Sequence, residues 1–293
     1  MIQKIAIISN DNNIKTRECV QRLINELCER GIGIYLHRHS DNEQKPYDGR
    51  LIEGYFTDIS EIDNMPDMIF SVGGDGTFLE TASIVQDKGI PIAGINTGRM
   101  GFLANISNDE LGKSIDLIQD DQYETINRTL LEVTTPANLF GQKRNLALNE
   151  VTIQKNNLSM ITIHVYVNDV FLNTYWADGI IIATATGSTA YNLSVGGPIL
   201  YPDDESIVIV PISPHNLTVR PLVLSGHNEL KLYCEGRVNE FLTTCDSQSK
   251  RLPIVQQLNI KTTDFKLKTI MLKDTNFFNT LRNRLMWGID KRN

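Results

Sequence analysis

The first part of the chain alternates apolar runs of strand length with segments of helical periodicity. Val20, Leu23, Ile24 and Leu27 have the i, i+3, i+4, i+7 spacing of an amphipathic helix, which Gly31 is predicted to end in a left-handed cap. The same patterns predict strands at residues 32–36, 68–72 and 90–95, helices at 77–87 and near 111–118, and a polar, turn-rich segment at 40–64. This alternation predicts an α/β domain with a parallel, Rossmann-like sheet.

From about residue 125 the hydrophobic period becomes that of strands. Residues 161–168 alternate apolar and polar side chains, and Asn168-Asp169 is typical of a hairpin turn. Short strands are predicted at residues 128–134, 145–154, 178–184, 206–210, 221–224 and 229–234, so the second domain should be mostly β. Phe278, Leu281 and Leu285 predict a final helix that returns to the first domain. The expected division is 1–125, 126–270 and 271–293.

Composition narrows the class of protein. The chain has 293 residues, 41% of them hydrophobic and 22% charged, which is typical of a globular protein. The net charge of -7 argues against a broad nucleic-acid or anionic-membrane surface, but not against a small anionic ligand bound by local amides and a metal. The N-terminus lacks the pattern of a secretory signal, and the four cysteines lack zinc or disulfide spacing. A cytoplasmic location is therefore expected.

A glycine-rich stretch, Gly73-Gly74-Asp75-Gly76-Thr77, lies where the strand at 68–72 gives way to a helical pattern. Glycines can turn backbone N–H groups toward phosphate oxygens, and Asp75 can orient a hydroxyl nucleophile or accept its proton. A simple turn is the alternative, although a turn does not need three glycines in four positions. The Walker, dinucleotide-fingerprint and protein-kinase motifs are absent from the sequence, so any kinase would be of another kind.

Three other segments carry candidate ligand groups. Residues 95–102 form a second glycine-containing junction, which predicts either another wall of the site or an ordinary turn. Residues 178–191 lead from a carboxylate through an apolar strand into a hydroxyl-rich turn, which suits a ribose or phosphate but also a Ser/Thr-capped helix. Asn149 and Glu150 interrupt a predicted strand and should point to opposite faces; taken alone, they favour a structural role.

Weaker signals come from the histidines and from one acidic turn. His37 and His39 are expected at a solvated strand end rather than in a metal site. His215 follows two prolines and is expected to be a buried, hydrogen-bonded histidine. The stretch Asp246-Ser247-Gln248 is compatible with a plain turn.

Taken together, the glycine-rich stretch, residues 94–103, 148–150, 178–198 and 211–221, and Asp246-Ser247-Gln248 resemble the bacterial NAD kinase family in order and spacing. The stretch around Asp75 is shared with lipid kinases, whereas residues 178–198 and the Pro-His segment are more specific. The resemblance implies an α/β N-terminal domain and a β-sandwich-like C-terminal domain. It also implies a homo-oligomer, dimer or tetramer, with the site near a subunit interface.

The resemblance further implies transfer of the γ-phosphoryl group of ATP to the 2′-hydroxyl of the adenosine ribose of NAD, giving NADP, with a divalent metal such as Mg²⁺. Asp75 would accept the proton, with Gly76 beside the ribose, and no protein side chain is assigned to the metal. Asn149 and Glu150 would hold NAD, and Asp178 would contact its nicotinamide side. The adenosine pocket would be lined by Thr189, Ala190, Tyr191, Asn192, Leu193 and Ser194, with Gln248 close by.

Two further residues and two rival functions complete the sequence-based expectations. Arg99 is a candidate helper at the triphosphate, and Trp176 is a candidate to stack on the nicotinamide ring. A lipid kinase is disfavoured because the chain is acidic and has no amphipathic membrane segment. A non-enzymatic dinucleotide sensor would not need a carboxylate at the reacting hydroxyl, so Asp75 argues against it.

Overall fold

The computed structural model describes residues 2–10, 13–38, 47–98, 101–141, 144–237 and 239–288. The chain divides into two compact units, of which one contains the residues up to Ile126 and from Leu267 onward, and the other contains Asn127–Lys266. The helices are α1 Ile14–Glu29, α2 Asp75–Val85, α3 Leu111–Gln119, α4 Tyr191–Ser194 and α5 Phe277–Leu285.

The strands, in chain order, are β1 Lys4–Ser9, β2 Gly33–His37, β3 Ile52–Phe56, β4 Met68–Gly73, β5 Ile92–Asn96, β6 Ile106–Ser107, β7 Tyr123–Arg128, β8 Leu131–Thr135, β9 Asn145–Ala147, β10 Glu150–Lys155, β11 Ile161–Val167, β12 Val170–Ala177, β13 Gly179–Ala183, β14 Ile207–Ile212, β15 Leu222–Leu224, β16 Leu230–Glu235, β17 Glu240–Cys245, β18 Gln248–Pro253, β19 Leu258–Thr262 and β20 Leu267–Leu272.

The first unit is built on a sheet with the order β3-β2-β1-β4-β5-β20-β7, with β6 beside β5. The pairs from β3 through β5 are parallel, and β20 also runs parallel to β5. Helix α1 buries its apolar stripe, including Leu23 and Leu27, in a core shared with Phe70 and Ile95. The predicted left-handed cap is present, because Gly31 has φ 72°. The α/β prediction is confirmed.

The second unit is a sandwich of two antiparallel sheets, with the orders β15-β14-β13-β10-β17-β18 and β12-β11-β16-β19-β8-β9. Alternate residues of both sheets meet in one core, to which Ile163 contributes from one sheet and Ile153 from the other. Strand β13 is buried on both faces, because Ile181 packs in a further cluster behind its sheet. The hairpin prediction is also confirmed, since Asn168 and Asp169 both have positive φ.

Several sequence expectations miss strands. The segment 40–64, expected to be turns, contains β3, whose partly exposed Glu53 and Gly54 weaken the apolar signal. The apolar pattern predicts no strand at β17, β18 or β19, and β18 carries mostly polar, exposed side chains because it forms the edge of its sheet. Strand β20 begins within the predicted 126–270 domain and crosses its boundary, yet it pairs with β5 in the sheet of the first unit.

Candidate functional site

The glycine-rich stretch lies at the carboxyl edge of the first sheet. Strands β1 and β4 are neighbours there, with β2 and β3 on one side and β5 on the other, so the sheet order reverses at this point. Ligands of open α/β sheets bind at such a reversal, beyond the carboxyl ends of the strands. Gly73 ends β4, Gly74 is the N-cap residue of α2, and Asp75 is the first residue of that helix.

The three glycines of this stretch differ in what surrounds them. A Cβ atom at Gly73 would lie 2.3 Å from Oγ1 of Thr77, so a larger residue does not fit there. A Cβ atom at Gly74 or Gly76 would meet nothing within 4 Å. The backbone at these two positions therefore borders open space, as a loop needs if a phosphate group is to approach its N–H groups.

The carboxylate of Asp75 is held by three consecutive backbone amides from the loop after β5. Its Oδ2 accepts a hydrogen bond from the N–H of Phe102 at 3.0 Å, and its Oδ1 accepts from Leu103 and Ala104 at 3.1 and 3.0 Å. A Cβ atom at Gly101 would lie 1.8 Å from Oδ1, so glycine is required at this position too. The predicted second wall thus packs directly against Asp75, while Arg99 lies outside the described residues.

In the second unit, Leu148 and Asn149 form a break between two strands, β9 and β10. Strand β9 belongs to one sheet of the sandwich and β10 to the other, so the predicted continuous strand at 145–154 is wrong. The carboxylate of Asp246 replaces the missing ladder partners: Oδ2 accepts from the N–H of Leu148 at 2.7 Å, and Oδ1 accepts from Asn149 and Glu150 at 2.8 and 3.1 Å. Asp246 therefore fixes the position of Asn149 and Glu150.

The hydroxyl-rich turn after β13 packs on this break from another direction. The hydroxyl of Thr184 donates to the carbonyl of Leu148 at 2.6 Å, and its N–H donates to the carbonyl of Asn149 at 2.9 Å. A Cβ atom at Gly187 would lie 2.1 Å from the carbonyl oxygen of Asn149. Helix α4 has no side-chain cap, but the hydroxyl of Thr184 also accepts from the N–H of Gly187 at 3.1 Å, in the short 3-10 turn Thr186–Thr189 before α4.

Glu150 is half-buried, and its carboxyl group has a raised proton affinity. The pKa of the Glu150 carboxyl group is raised to about 8, mainly because burial removes water from it and secondly because the charge of Asp246 is close. The N–H of Tyr191, which donates to this carboxyl group, lowers the pKa by a smaller amount. Burial also raises the pKa of Asp246 to about 6, although its three amide partners act in the other direction. Oε2 of Glu150 is buried and has no hydrogen-bond partner among the described residues. At neutral pH Glu150 is therefore largely protonated, and it can donate as well as accept a hydrogen bond.

The comparisons with known proteins identify the family. Residues 5–123 match the family model for the ATP-NAD kinase N-terminal domain, and residues 148–272 match the model for the ATP-NAD kinase C-terminal domain. The NAD kinase of Flavobacterium johnsoniae is 46% identical over 240 residues, which cover 81% of this chain and 82% of that relative. The chain belongs to the ATP-NAD kinase family.

Other members of the ATP-NAD kinase family match over nearly the full length. The NAD kinase of Christiangramia forsetii is 38% identical and covers 99% of this chain and 100% of its own. A crystal structure of yeast NADH kinase complexed with NADH has a TM-score of 0.83 at 21% identity, covering 99% of this chain and 89% of that one, which supports the fold. An NAD kinase from Archaeoglobus fulgidus in complex with ATP has a TM-score of 0.73 at 25% identity, covering 97% and 99%.

Some residues that the ATP-NAD kinase resemblance singled out lie together in the second unit. Tyr191 donates its N–H to the carboxyl group of Glu150, and Gln248 begins β18 immediately after the Asp246-Ser247 turn. The segment Thr189–Ser194 thus reaches Glu150, while the side chain of Asn192 is fully buried and donates to the carbonyls of Ser188 and Pro198, holding the shape of the segment.

Asp178 lies at the other end of β10 from Glu150. It forms an ion pair with Lys155, with Oδ1 2.5 Å from Nζ, and the five-residue step from Glu150 to Lys155 spans roughly 17 Å of extended chain. Trp176, near the end of β12, is 56% exposed. Asp178 therefore lies apart from Asn149 and Glu150. Residues that bind opposite ends of a dinucleotide would also have to be separated in this way.

The histidine expectations need correction. His215 is exposed rather than buried, because it lies in a loop beyond β14 whose neighbouring residues also face solvent; its backbone N–H donates to the carbonyl of Trp176. His37 is half-buried against the ring of Phe56, with the ring centroids 5.3 Å apart, rather than solvated. His39 lies outside the described residues.

The part of the chain that the structure describes contains no group of three or more His, Cys, Asp or Glu side chains able to hold a metal ion. The four cysteines are free and buried. Within the same described ranges, no helix is both long enough and apolar enough to cross a membrane.

We expect Glu150→Gln to remove a pH dependence of folding stability. Because the folded-state pKa of Glu150 is raised, the unfolded chain releases this proton at lower pH than the folded one, and wild-type stability should fall as pH rises toward about 8. The raised pKa of Asp246 lowers the folding stability in the same way as pH rises, but only up to about pH 6. Between pH 6 and 8 the wild type should therefore lose stability relative to the variant.

Urea unfolding at pH 6, 7 and 8 measures this difference, and the exposed Glu124 provides the control variant Glu124→Gln, which should follow the wild type. Parallel pH dependence in wild type and Glu150→Gln would contradict the assignment of a raised pKa to Glu150 in the folded protein.

Proposed function

We propose that this chain is an ATP-dependent NAD kinase, which transfers the γ-phosphoryl group of ATP to the 2′-hydroxyl of the adenosine ribose of NAD and releases NADP. The observation that carries the proposal is the carboxylate of Asp75 at the start of α2. Three amides of the loop after β5 hold this carboxylate, and the glycine backbone beside it borders open space. Membership of the ATP-NAD kinase family and the named activity of its members support the choice of NAD and ATP.

Asp75 is proposed as the proton acceptor. Two carboxylate oxygens offer about four lone-pair sites, and three of them are used by the N–H groups of Phe102, Leu103 and Ala104. The remaining site is on Oδ2, where a substrate hydroxyl can form a hydrogen bond. Phosphoryl transfer has a loose transition state that needs mainly positioning, so a rigidly held carboxylate that accepts the proton as the oxygen commits suits the reaction.

The phosphate loop of Gly73, Gly74, Gly76 and Thr77 is proposed to bind donor phosphates through its backbone N–H groups. A divalent metal, most simply Mg²⁺, would neutralise phosphate charge when bound. Mg²⁺ usually binds through substrate phosphates with only one or two carboxylates, so the absence of a three-residue cluster among the described side chains is compatible with an ion that arrives on ATP.

Asn149 and Glu150 are proposed to bind NAD. Oε2 of Glu150 lacks a partner, and a buried polar atom of this kind needs one, which a ribose hydroxyl supplies. The residues from Thr189 to Ser194, together with Gln248, are proposed for the adenosine part, and Asp178 and Trp176 for the nicotinamide side. These assignments follow the family resemblance and the contacts around Glu150.

We also propose that the protein is a cytoplasmic homo-oligomer, a dimer or tetramer, with the NAD site near a subunit interface. Strand β12 forms an edge of its sheet and exposes Val170, Phe171 and Trp176 by 69%, 53% and 56%. Exposed apolar side chains on an edge strand support a protein contact there.

A coupled assay tests the proposed activity. Purified protein with ATP, Mg²⁺ and NAD should form NADP, detected with a dehydrogenase that accepts only NADP; NADH and polyphosphate are run alongside to define acceptor and donor. NAD binding by calorimetry without NADP formation would favour the dinucleotide sensor, and phosphorylation of a diacylglycerol instead of NAD would favour the lipid kinase.

A further inference from the structure

Helix α5 brings a cation to the carboxylate of Asp75. Nη2 of Arg284, in the last turn of α5, lies 3.9 Å from Oδ2 of Asp75. Its guanidinium carbon is 5.8 Å from the ring centroid of Phe102, the residue whose N–H binds the same Oδ2. Phe277, the first residue of α5, also approaches Phe102, with ring centroids 6.3 Å apart. The C-terminal helix is thus fixed to the loop that holds Asp75.

This ion pair contributes little to folding. The side chains of Arg284 and Asp75 are 31% and 33% exposed, and an ion pair with that exposure and a 3.9 Å separation is screened by solvent and adds little to folding stability. A guanidinium group has five N–H donors. The long contact to Asp75 leaves these donors available to an oxygen-rich anion beside the carboxylate.

The proposed reaction needs a positive charge at this place. A triphosphate that approaches Asp75 brings several negative charges toward a carboxylate, and each like-charge contact is unfavourable unless a cation lies between them. Among the described residues, Arg284 is the cation that forms an ion pair with Asp75. A planar guanidinium can bind two phosphate oxygens at once, which also orients the phosphate group.

Arg284 faces a cavity large enough for part of a nucleotide. The cavity has a volume of about 620 Å³ and also involves the polar side chains of Asn105, Thr275, Asn276, Asn279, Thr280 and Asn283. Oδ1 of Asn105 is buried and has no partner among the described residues, so it can accept from a hydroxyl or amino group. Asp274 also borders the cavity, but its carboxylate is paired with Lys113 at 2.9 Å.

We infer that Arg284 is a phosphate-binding residue for the donor nucleotide, and that α5 delivers it to the oxygen of Asp75 that receives the substrate hydroxyl. This inference rests on the proposed function for the identity of the donor. It assigns to the C-terminal helix a direct part in substrate binding, in addition to packing.

The test compares Arg284→Gln and Arg284→Lys with Arg282→Gln, which removes the same charge from an exposed position two residues away on the same helix. Affinity for a non-hydrolysable ATP analogue is measured by calorimetry, and KM values for ATP and NAD by the coupled assay. Arg284→Gln should weaken analogue binding and raise the KM for ATP at least about tenfold, with the KM for NAD within about twofold of wild type. Arg284→Lys should restore part of the loss, because lysine keeps the charge without the fork.

Analogue affinity in Arg284→Gln within twofold of wild type would overturn the inference, as would an equal loss in Arg282→Gln. The proposed function fails separately: wild-type protein that binds the analogue in an Arg284-dependent way but forms no NADP would leave Arg284 as a phosphate ligand and remove the kinase activity.

Discussion

Asp75→Asn should lower kcat about 10²- to 10⁴-fold, the contribution usual for a positioned proton acceptor, while NAD still binds. An amide retains one oxygen, which can keep the N–H groups of Leu103 and Ala104, but its NH₂ group would then face the N–H of Phe102. We therefore expect an additional loss of stability of about 1–2 kcal/mol from the unpaired N–H. Single-turnover kinetics with the coupled assay, calorimetry with NAD and urea unfolding measure the three effects.

Gly101→Ala separates the position of the carboxylate from its chemistry. The added Cβ atom would lie 1.8 Å from Oδ1, so it must displace the Asp75 side chain or its loop, although the carboxylate group itself is retained. A large loss of kcat in this variant is expected if positioning matters as proposed. Turnover near the wild-type value in Asp75→Asn would remove Asp75 from the mechanism, whatever Gly101→Ala does.

Asp246→Ala should be the most destabilising of these changes and should weaken NAD binding selectively. The substitution leaves the N–H groups of Leu148, Asn149 and Glu150 without their acceptor, and a stability loss of about 3–6 kcal/mol follows if each unmade bond costs about 1–2 kcal/mol. Asn149 and Glu150 then lose their fixed position, so the KM for NAD should rise at least about tenfold. The KM for ATP should stay within about twofold.

Asp246→Asn tests the same idea in a milder form, because its remaining oxygen can keep two of the three bonds and should give an intermediate result. Ser247→Ala, in the same two-residue turn but exposed, is the matched control and should resemble wild type. Equal effects on the KM values for NAD and ATP would indicate general destabilisation and contradict a specific positioning role for Asp246.

Much of the architecture follows from local patterns. Helix α1, strand β4 and the β11–β12 hairpin were predicted because their apolar periods are strong and their ends carry Gly31 or the Asn168-Asp169 pair. The apolar pattern does not predict edge strands such as β3 and β18, because exposed strands contain few apolar residues and therefore show little alternation. The continuous strand at 145–154 was wrong because the residues that break it are held by Asp246, which no local pattern connects to them.

Local sequence patterns likewise revealed some residues of the candidate site and not others. Asp75 and its glycines were recognised in sequence because a carboxylate among glycines after a buried strand has few purely structural explanations. Outside the family resemblance, Asp246 has only the local signal of a turn, and Arg284 has only that of a basic residue in the last turn of a helix. Neither signal distinguishes a site residue from an ordinary cap.

By itself the sequence determined the fold class, the family and the chemical type of the phosphate loop, since these depend on short-range patterns and on motifs in a fixed order. Tertiary structure alone decided which groups hold the two carboxylates. Asp75 is bound by amides 27 to 29 residues away, and Asp246 by amides 96 to 98 residues away. Backbone N–H groups are the same for nearly every residue, so only the folded chain determines which of them meet a given carboxylate.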